Sequence, residues 1–169
     1  MEGSSDMYSK GSLIIHTLRS IINNDKLFFE MINEIQTKFK YKTVDSKEIE
    51  KFISEKSGIN FSDFFEQYLK KNTIPKLSIQ LEEGDFNDLK LTYRWTLGGV
   101  SAFKDDEYVA LQPFFKMPVK VTVKKDVMDF INPTTEWQTI ILSDMKERFF
   151  EVATDLFYID TEIISVTEN

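Results

Sequence analysis

Two hydrophobic patterns meet in the segment FFEQYLKKNTIPKLSIQL, residues 64–81. Before Pro75, apolar residues recur at spacings of three and four, which is the period of an amphipathic helix. After Pro75 they alternate with polar residues, at Leu77, Ile79 and Leu81, which is the period of a strand with one buried face. Proline suits this boundary because it has no backbone N–H and cannot continue a helix. The segment therefore divides the chain into a helical half and a half made of strands.

The helical half is predicted to contain about four helices. The first carries apolar residues on two faces, because Ile15 lies apart from Ile14 and Leu18, and we expect it to be buried on most sides. The fourth is expected to turn Leu69 inward together with its aromatic residues. The predicted boundaries are a stop at residues 23–24, an N-cap at Asp25, an N-cap at Thr43 or Asp45, a left-handed C-cap at Gly58 and an N-cap at Ser62.

The second half is predicted to be a set of short strands. Residues 77–81 and 89–95 alternate around a turn-rich segment and predict a hairpin, whereas residues 98–112 are interpreted as a long loop. Further strands are expected at residues 117–123, 137–142 and 149–159. The predicted fold class is α+β, with an N-terminal helical bundle followed by an antiparallel β-sandwich. The corresponding domains are residues 1–75 and residues 76–169.

Composition excludes several function classes. Hydrophobic residues make up 41% of the 169 residues, which is enough for a packed core and argues against disorder. The formal net charge is −7 and the whole acidic excess lies after residue 75, so the chain lacks a basic stripe for nucleic acid. No apolar run is long enough to span a bilayer. The chain has no cysteine, which excludes disulfides and thiolate metal sites and leaves both a cytoplasmic and an exported location open.

Few residues offer metal-binding or nucleophilic chemistry. His16 is the only histidine, and a catalytic zinc site usually takes three protein ligands, so no typical zinc site is expected in this chain. His16 is interpreted as a packing or surface residue. The pair Gly98-Gly99 is too short for a phosphate-binding loop, and no nucleophile-elbow glycine pattern occurs. Catalysis by this chain alone is therefore not expected.

One motif does indicate a family. Residues 6–19, DMYSKGSLIIHTLR, place a tyrosine two residues before a Lys-Gly pair at the head of a hydrophobic helix that ends in Leu-Arg. An ordered series follows, with residues 44–53, a Ser-Gly pair at 57–58, aromatic pairs within 64–69, and Pro75. Over about residues 6–81 the chain resembles the gluzincin zinc aminopeptidases, the family of aminopeptidase N and leukotriene hydrolase. Tyr68 stands where that family commonly has tryptophan, and Ile74 where it has glycine.

The resemblance implies a function for one residue. In the family, zinc held by two histidines and a glutamate polarises the scissile carbonyl, and the tyrosine that corresponds to Tyr8 donates a hydrogen bond to the developing oxyanion. Tyr8 is therefore the predicted catalytic residue. The H-E-x-x-H motif and the later ligand glutamate are absent, so the chain is expected to be the C-terminal part of a longer zinc aminopeptidase and inactive alone. The implied partners are an upstream catalytic domain of the same protein, which would hold the zinc, and a peptide substrate.

Other residues and readings remain open at this stage. Gly11 is interpreted as a site where another helix approaches closely, and Arg19 as a partner for a carboxylate of a neighbouring domain. A non-catalytic scaffold with a peptidase-like fold, or a module that binds protein or glycan, would also fit the sequence. A ligand patch could use the aromatic residues of the second half, but alternating aromatics more often fill a core. These aromatic residues are Trp95, Phe114, Phe115, Trp137 and Tyr158.

Overall fold

A computed structural model describes residues 6–98, 101–104, 107–110 and 114–164. Four helices come first: α1 Asp6–Ile22, α2 Asp25–Lys38, α3 Ser46–Ser57 and α4 Ser62–Lys70. The described strands are β1 Lys76–Glu83, β2 Leu89–Thr96, β3 Ser101–Lys104, β4 Glu107–Ala110, β5 Val119–Lys124, β6 Val127–Ile131, β7 Gln138–Leu142 and β8 Asp160–Ile163. Short 3-10 turns span Asp85–Asn87 and Glu147–Phe149. The prediction of an α+β chain with helices before strands is confirmed.

The described residues form two compact units. The helical unit contains the residues up to Lys71 together with Leu156–Tyr158, and the strand unit contains Asn72–Asp155 and the residues from Ile159 onward. The return of Leu156–Tyr158 to the helices was not predicted from the sequence. A strand was expected over residues 149–159, and that prediction is wrong: the segment contains the end of a 3-10 turn, a single bridge at Val152 and three turn residues, but no strand.

Local chemistry explains where the helices begin and end. Asn24, not Asp25, caps α2, because its side-chain oxygen accepts the Leu27 N–H at 3.0 Å. Asp45 caps α3 as predicted, accepting the Lys47 N–H at 2.8 Å. Gly58 ends that helix with φ 71°, a left-handed conformation that glycine adopts without strain.

The fourth helix differs from its prediction at both its start and its face. Phe61 occupies the N-cap position of α4 without a side-chain cap, so the prediction for Ser62 is wrong. Leu69 was expected to point inward but is half exposed, and Gln67 is buried instead. The buried side of α4 is therefore rotated from the expected one. The helical core combines residues of all four helices with Phe157 from the returning segment, and its largest fully buried side chains are Leu18, Met31, Phe61 and Tyr68.

The strand unit is built around a four-stranded sheet with the order β7-β2-β1-β8. The predicted β1–β2 hairpin is confirmed, with Leu77 opposite Trp95 and Leu81 opposite Leu91. The expectation of purely antiparallel strands is wrong, because β8 runs parallel to β1. A parallel pair needs a long connection, and the chain between β1 and β8 supplies one. Face-to-face packing of two sheets, the predicted sandwich, stays a prediction.

The remaining strands form two-stranded sheets. β5 pairs with β6 through the predicted turn at residues 124–126, where Asp126 has φ 61°. β3 pairs with β4 in register, so the interpretation of residues 98–112 as a loop is wrong where the structure describes them. Strands of four residues are too short to display a clear period of two, which explains why the sequence did not reveal them.

Buried aromatic residues anchor this unit. Trp95 is fully buried, its ring lies 5.8 Å from that of Phe115, and its indole N–H donates to the Met117 carbonyl at 3.0 Å. The interpretation of Trp95 and Phe115 as core residues is therefore confirmed. Trp137 and Phe114 are exposed instead, so the core interpretation is wrong for these two.

Candidate functional site

Tyr8 lies in the first turn of α1, and its side chain is 79% exposed. Its hydroxyl has no hydrogen-bond partner among the residues that the structure describes. One side of α1 is buried through Ile14, Thr17 and Leu18, and Tyr8 points away from that side. An exposed phenol on a rigid helix is a hydrogen-bond donor that remains available to a partner or substrate.

The exposed side of α1 continues along the helix. Ser12 and Ile15 follow Tyr8 at spacings of four and three residues, so the three side chains share one face. Ile15 on this face is 46% exposed, and Leu13, on the opposite flank of the buried side, is 43% exposed. The expectation that α1 is buried on most sides is therefore wrong for the described residues. The apolar residues of α1 are therefore not all core residues: Ile14 and Leu18 are buried, whereas Leu13 and Ile15 are half exposed.

Gly11 lies beside this exposed face and has no close neighbour. A methyl group added at its Cα would meet no atom within 4 Å, apart from its own helix. A glycine inside a helix costs about 1 kcal/mol relative to alanine, and no contact among the described residues compensates for that cost. The close approach of another helix at Gly11 therefore stays a prediction about a partner outside these residues.

Two basic residues of α1, Lys10 and Arg19, have hydrogen-bond partners within the helical unit. Lys10 donates from its ammonium to the carbonyl of Lys71, at 3.3 Å, which ties α1 to the end of α4. Arg19 forms a two-pronged pair with Asp25, with both N–H to oxygen distances at 2.8 Å. The predicted partner of Arg19 was a neighbouring domain, and the described partner is Asp25 instead. The hydrogen bond from Arg19 holds the pKa of the Asp25 carboxyl below its ordinary value.

Thr17 and Tyr68 form a clamp that sequence reasoning missed. Thr17 is fully buried on α1, and its hydroxyl accepts the Tyr158 N–H at 2.8 Å while donating to the Leu13 carbonyl at 2.9 Å. Tyr68 donates its hydroxyl to the Tyr158 carbonyl at 2.7 Å. Burial, with a smaller contribution from Tyr158, raises the pKa of Tyr68 far above its ordinary range, so the phenol stays protonated as this bond requires. The only sequence signal was a lone threonine inside an apolar helix.

No metal site is formed by the described part of the chain. His16 lies exposed on α1, which agrees with its interpretation as a packing or surface residue. Among the described residues, no group of three or more His, Asp or Glu side chains could hold a metal ion. The residues present therefore do not fit a zinc centre. Within the same residues, no helix combines the length and the hydrophobicity that crossing a bilayer would need.

The strand unit offers surface features rather than a catalytic constellation. A depression of about 680 Å³ is lined by Leu81, Phe150 and Ile163 together with charged residues. Two of those charges, Lys146 and Glu83, face each other at 3.8 Å, so they largely neutralise one another. Among the described residues of the motif, Tyr8 is an exposed side chain with a hydrogen-bonding group.

The fold and these residues can be compared with known proteins. No protein-family model and no curated protein sequence matches this chain. Its architecture, four helices followed by short strands in a mixed sheet, does occur among solved structures. Aminopeptidase A of Legionella pneumophila, solved in complex with aspartic acid, is similar with a TM-score of 0.67 at 12% sequence identity. The alignment covers 91% of this chain and 17% of that one. The chain therefore has a fold shared with part of an aminopeptidase.

Proposed function

We propose that this chain is the C-terminal part of a zinc-dependent aminopeptidase that removes N-terminal residues from peptides. In this proposal the chain contributes Tyr8 as the donor that stabilises the oxyanion, and it contributes no metal ligand. The observation that carries the proposal is the exposure of Tyr8 in the first turn of α1, within a fold that is shared with part of an aminopeptidase. The zinc and its ligands are assigned to a portion of the protein outside these 169 residues, which form a small part of the length of the similar enzyme.

The chemistry assigned to this chain is that of a single hydroxyl. When a peptide carbonyl is attacked, negative charge develops on its oxygen, and a donor that already points at that oxygen stabilises the transition state. A phenol suits this task because it keeps its proton near neutral pH and sits on a rigid ring. The helix links the ring to the core, because Thr17 and Leu18 anchor α1 about two and a half turns beyond Tyr8. The Tyr8 hydroxyl is exposed, so it can donate to a substrate oxygen without a rearrangement of its own unit.

The test is a Tyr8→Phe substitution in the complete protein, followed by hydrolysis of aminoacyl anilides. Removing one oxyanion donor is expected to lower kcat by about 10²- to 10³-fold, with zinc content and thermal unfolding unchanged. Tyr41→Phe is the matched control, because Tyr41 belongs to the same unit and is even more exposed, at 95%. Normal turnover of the Tyr8→Phe enzyme would remove Tyr8 from the mechanism, and a complete protein without zinc would remove the peptidase assignment.

A second candidate is a non-catalytic scaffold, or a module that binds protein or glycan. One observation favours a binding role: Trp137, 39% exposed, stacks on the Arg94 guanidinium with 4.5 Å between the guanidinium carbon and the ring centroid. Thr92 and Thr139 share the same face of the sheet and hydrogen-bond to each other at 2.9 Å. An aromatic ring beside such polar groups can contact a sugar. Binding of oligosaccharides that is lost in Trp137→Ala would favour this candidate over the peptidase.

A further inference from the structure

The loop between α2 and α3 concentrates positive charge on an otherwise acidic protein. Residues 38–47 contain four lysines and one aspartate, whereas the whole chain carries a formal charge of −7. We name the side chains of Lys38, Lys40, Tyr41, Lys42 and Lys47 the basic tip. All five are exposed. The first 75 residues have no net charge as a whole, so their total charge does not reveal this local cluster.

The lysines of the basic tip are not neutralised by the protein. Among the described residues, none of the four ammonium groups forms an ion pair. Lysines elsewhere in the helical unit do have carboxylate partners, such as Lys56 with Glu34 and Lys70 with Glu66, both at 2.6 Å. Two carboxylates border the basic tip: Asp45, which accepts the Lys47 backbone N–H in the cap of α3, and the exposed Glu48 in the first turn of α3. Four lysines against these two carboxylates leave a net positive charge at the tip. The positive potential of the tip is therefore available to an external partner.

Aromatic rings hold part of this charge in place. The Lys38 ammonium lies 4.5 Å from the ring centroid of Phe52 and 5.3 Å from that of Phe39. The Lys40 ammonium lies 4.9 Å from the ring of Tyr41. Cation–π contacts of this kind orient an ammonium while leaving its outer side free to meet an anion.

Tyr41 supplies a second, independent observation. Its ring is 95% exposed, and its backbone has φ 59°, a left-handed conformation that is unfavourable for a bulky residue. Asparagine or glycine would fit this turn with less strain. A strained residue that presents an aromatic ring to solvent indicates a role that the folded chain alone does not use.

The shape of the tip favours one class of partner. The Lys56–Glu34 and Lys38–Phe52 contacts show that α2 and α3 run antiparallel, so the tip is the convex end of a helical hairpin. Single-stranded nucleic acid is usually held in a groove, whereas a convex tip fits a flat and deformable surface. Lysines that surround an exposed tyrosine match an anionic bilayer, with ammonium groups at the headgroups and the ring at the interface. We propose that the basic tip docks this protein peripherally on an anionic lipid surface, an inference independent of the peptidase proposal.

The test measures binding of the 169-residue chain to vesicles of phosphatidylcholine, with and without phosphatidylserine. Each lysine near an anionic surface contributes roughly fivefold to binding, so Lys40→Gln combined with Lys42→Gln should lower partitioning onto phosphatidylserine vesicles by about 30-fold. The control combines Lys26→Gln with Lys70→Gln, which changes the net charge equally outside the tip. Its partitioning should stay within about twofold of the parent, since distant charges are screened by salt.

Tyr41→Asn separates a docking role from a structural one. This change relieves the strained backbone, so the variant should unfold at a higher temperature while binding the anionic vesicles more weakly. A Tyr41 with only a structural role would leave vesicle binding unchanged.

Three outcomes would overturn the proposal. The first is equal binding to both kinds of vesicle. The second is an equal loss of binding in the control and tip variants, which would indicate a general charge effect. The third is tight binding of single-stranded oligouridylate, lost in the tip variant, with no binding to vesicles, which would identify nucleic acid as the partner.

Discussion

The strand β2 and the helix α1 differ in how closely the burial of their residues follows the hydrophobic pattern. In β2, every second residue from Leu89 to Trp95 is buried and the residues between are partly exposed, as the alternation predicts. In α1, apolar residues occur on both sides of the helix, but Ile14 and Leu18 are buried whereas Leu13 and Ile15 are half exposed. β2 keeps its apolar residues on a buried face, whereas α1 leaves apolar residues half exposed on either side of its buried face.

The difference has a geometric cause. A strand has two faces, so a period of two assigns each residue to one of them without further information. A helix presents a continuous surface, and the width of its buried arc depends on how many neighbours pack against it. The described residues leave open the face of α1 that carries Tyr8 and Ile15, and Gly11 beside it has no close neighbour.

The largest expected effect is on the free energy of unfolding and comes from a buried apolar residue of β2. Trp95→Ala removes a fully buried ring and its hydrogen bond to Met117, which should lower the free energy of unfolding by about 3–5 kcal/mol. Ile15→Ala is the control from the helical unit, and it should cost less than about 1 kcal/mol because the side chain is half exposed. Urea unfolding measures both. Equal losses would show that α1 is more deeply packed than its exposure indicates.

The intermediate effect concerns the clamp on Tyr158. Thr17→Val leaves the partly buried Tyr158 N–H without its acceptor, and Tyr68→Phe removes the donor to the Tyr158 carbonyl. Each change should cost about 1–3 kcal/mol. Thr37→Val is the matched control, because Thr37 is exposed and donates only to carbonyls of its own helix.

Far-UV circular dichroism follows the helices during urea unfolding of these variants. Tryptophan fluorescence follows the other unit, because both tryptophans belong to it. A clamp variant as stable as the Thr37 control would show that Leu156–Tyr158 contributes little to the helical unit.

The smallest effect compares two glycines with opposite roles. Gly11→Ala should stabilise the isolated chain by up to about 1 kcal/mol, because the added methyl group meets no atom and alanine favours the helix. Gly58→Ala should destabilise it by about 1 kcal/mol, because φ 71° is unfavourable for a residue with a Cβ. Thermal unfolding of the two variants gives the comparison.

Gly11→Ala also sharpens the functional argument. If the protein is the proposed aminopeptidase and a neighbouring helix of the complete protein covers this face, the same substitution should lower its activity while stabilising the isolated chain. An unaffected enzyme would leave Gly11 without a docking role.

The amino-acid sequence determined the division into helices and strands, the β1–β2 hairpin and the stop at Gly58, and it narrowed the cap of α3 to Thr43 or Asp45. Each depends on residues close together in the chain, where period, side-chain chemistry and glycine's freedom act locally. The sequence also singled out Tyr8, through a motif at the head of α1. The extent to which Tyr8 is exposed could not be read from that motif.

Only the tertiary structure decided which apolar residues of α1 are exposed, that β8 pairs in parallel with β1, and that Thr17 holds the backbone of Tyr158. The last contact joins residues separated by 141 positions, and no local pattern marks such a pair. The exposure of a helix face likewise depends on which other segments pack against it. Local sequence fixes the conformation of a segment, whereas burial and long-range pairing are settled by the free energy of packing the whole chain.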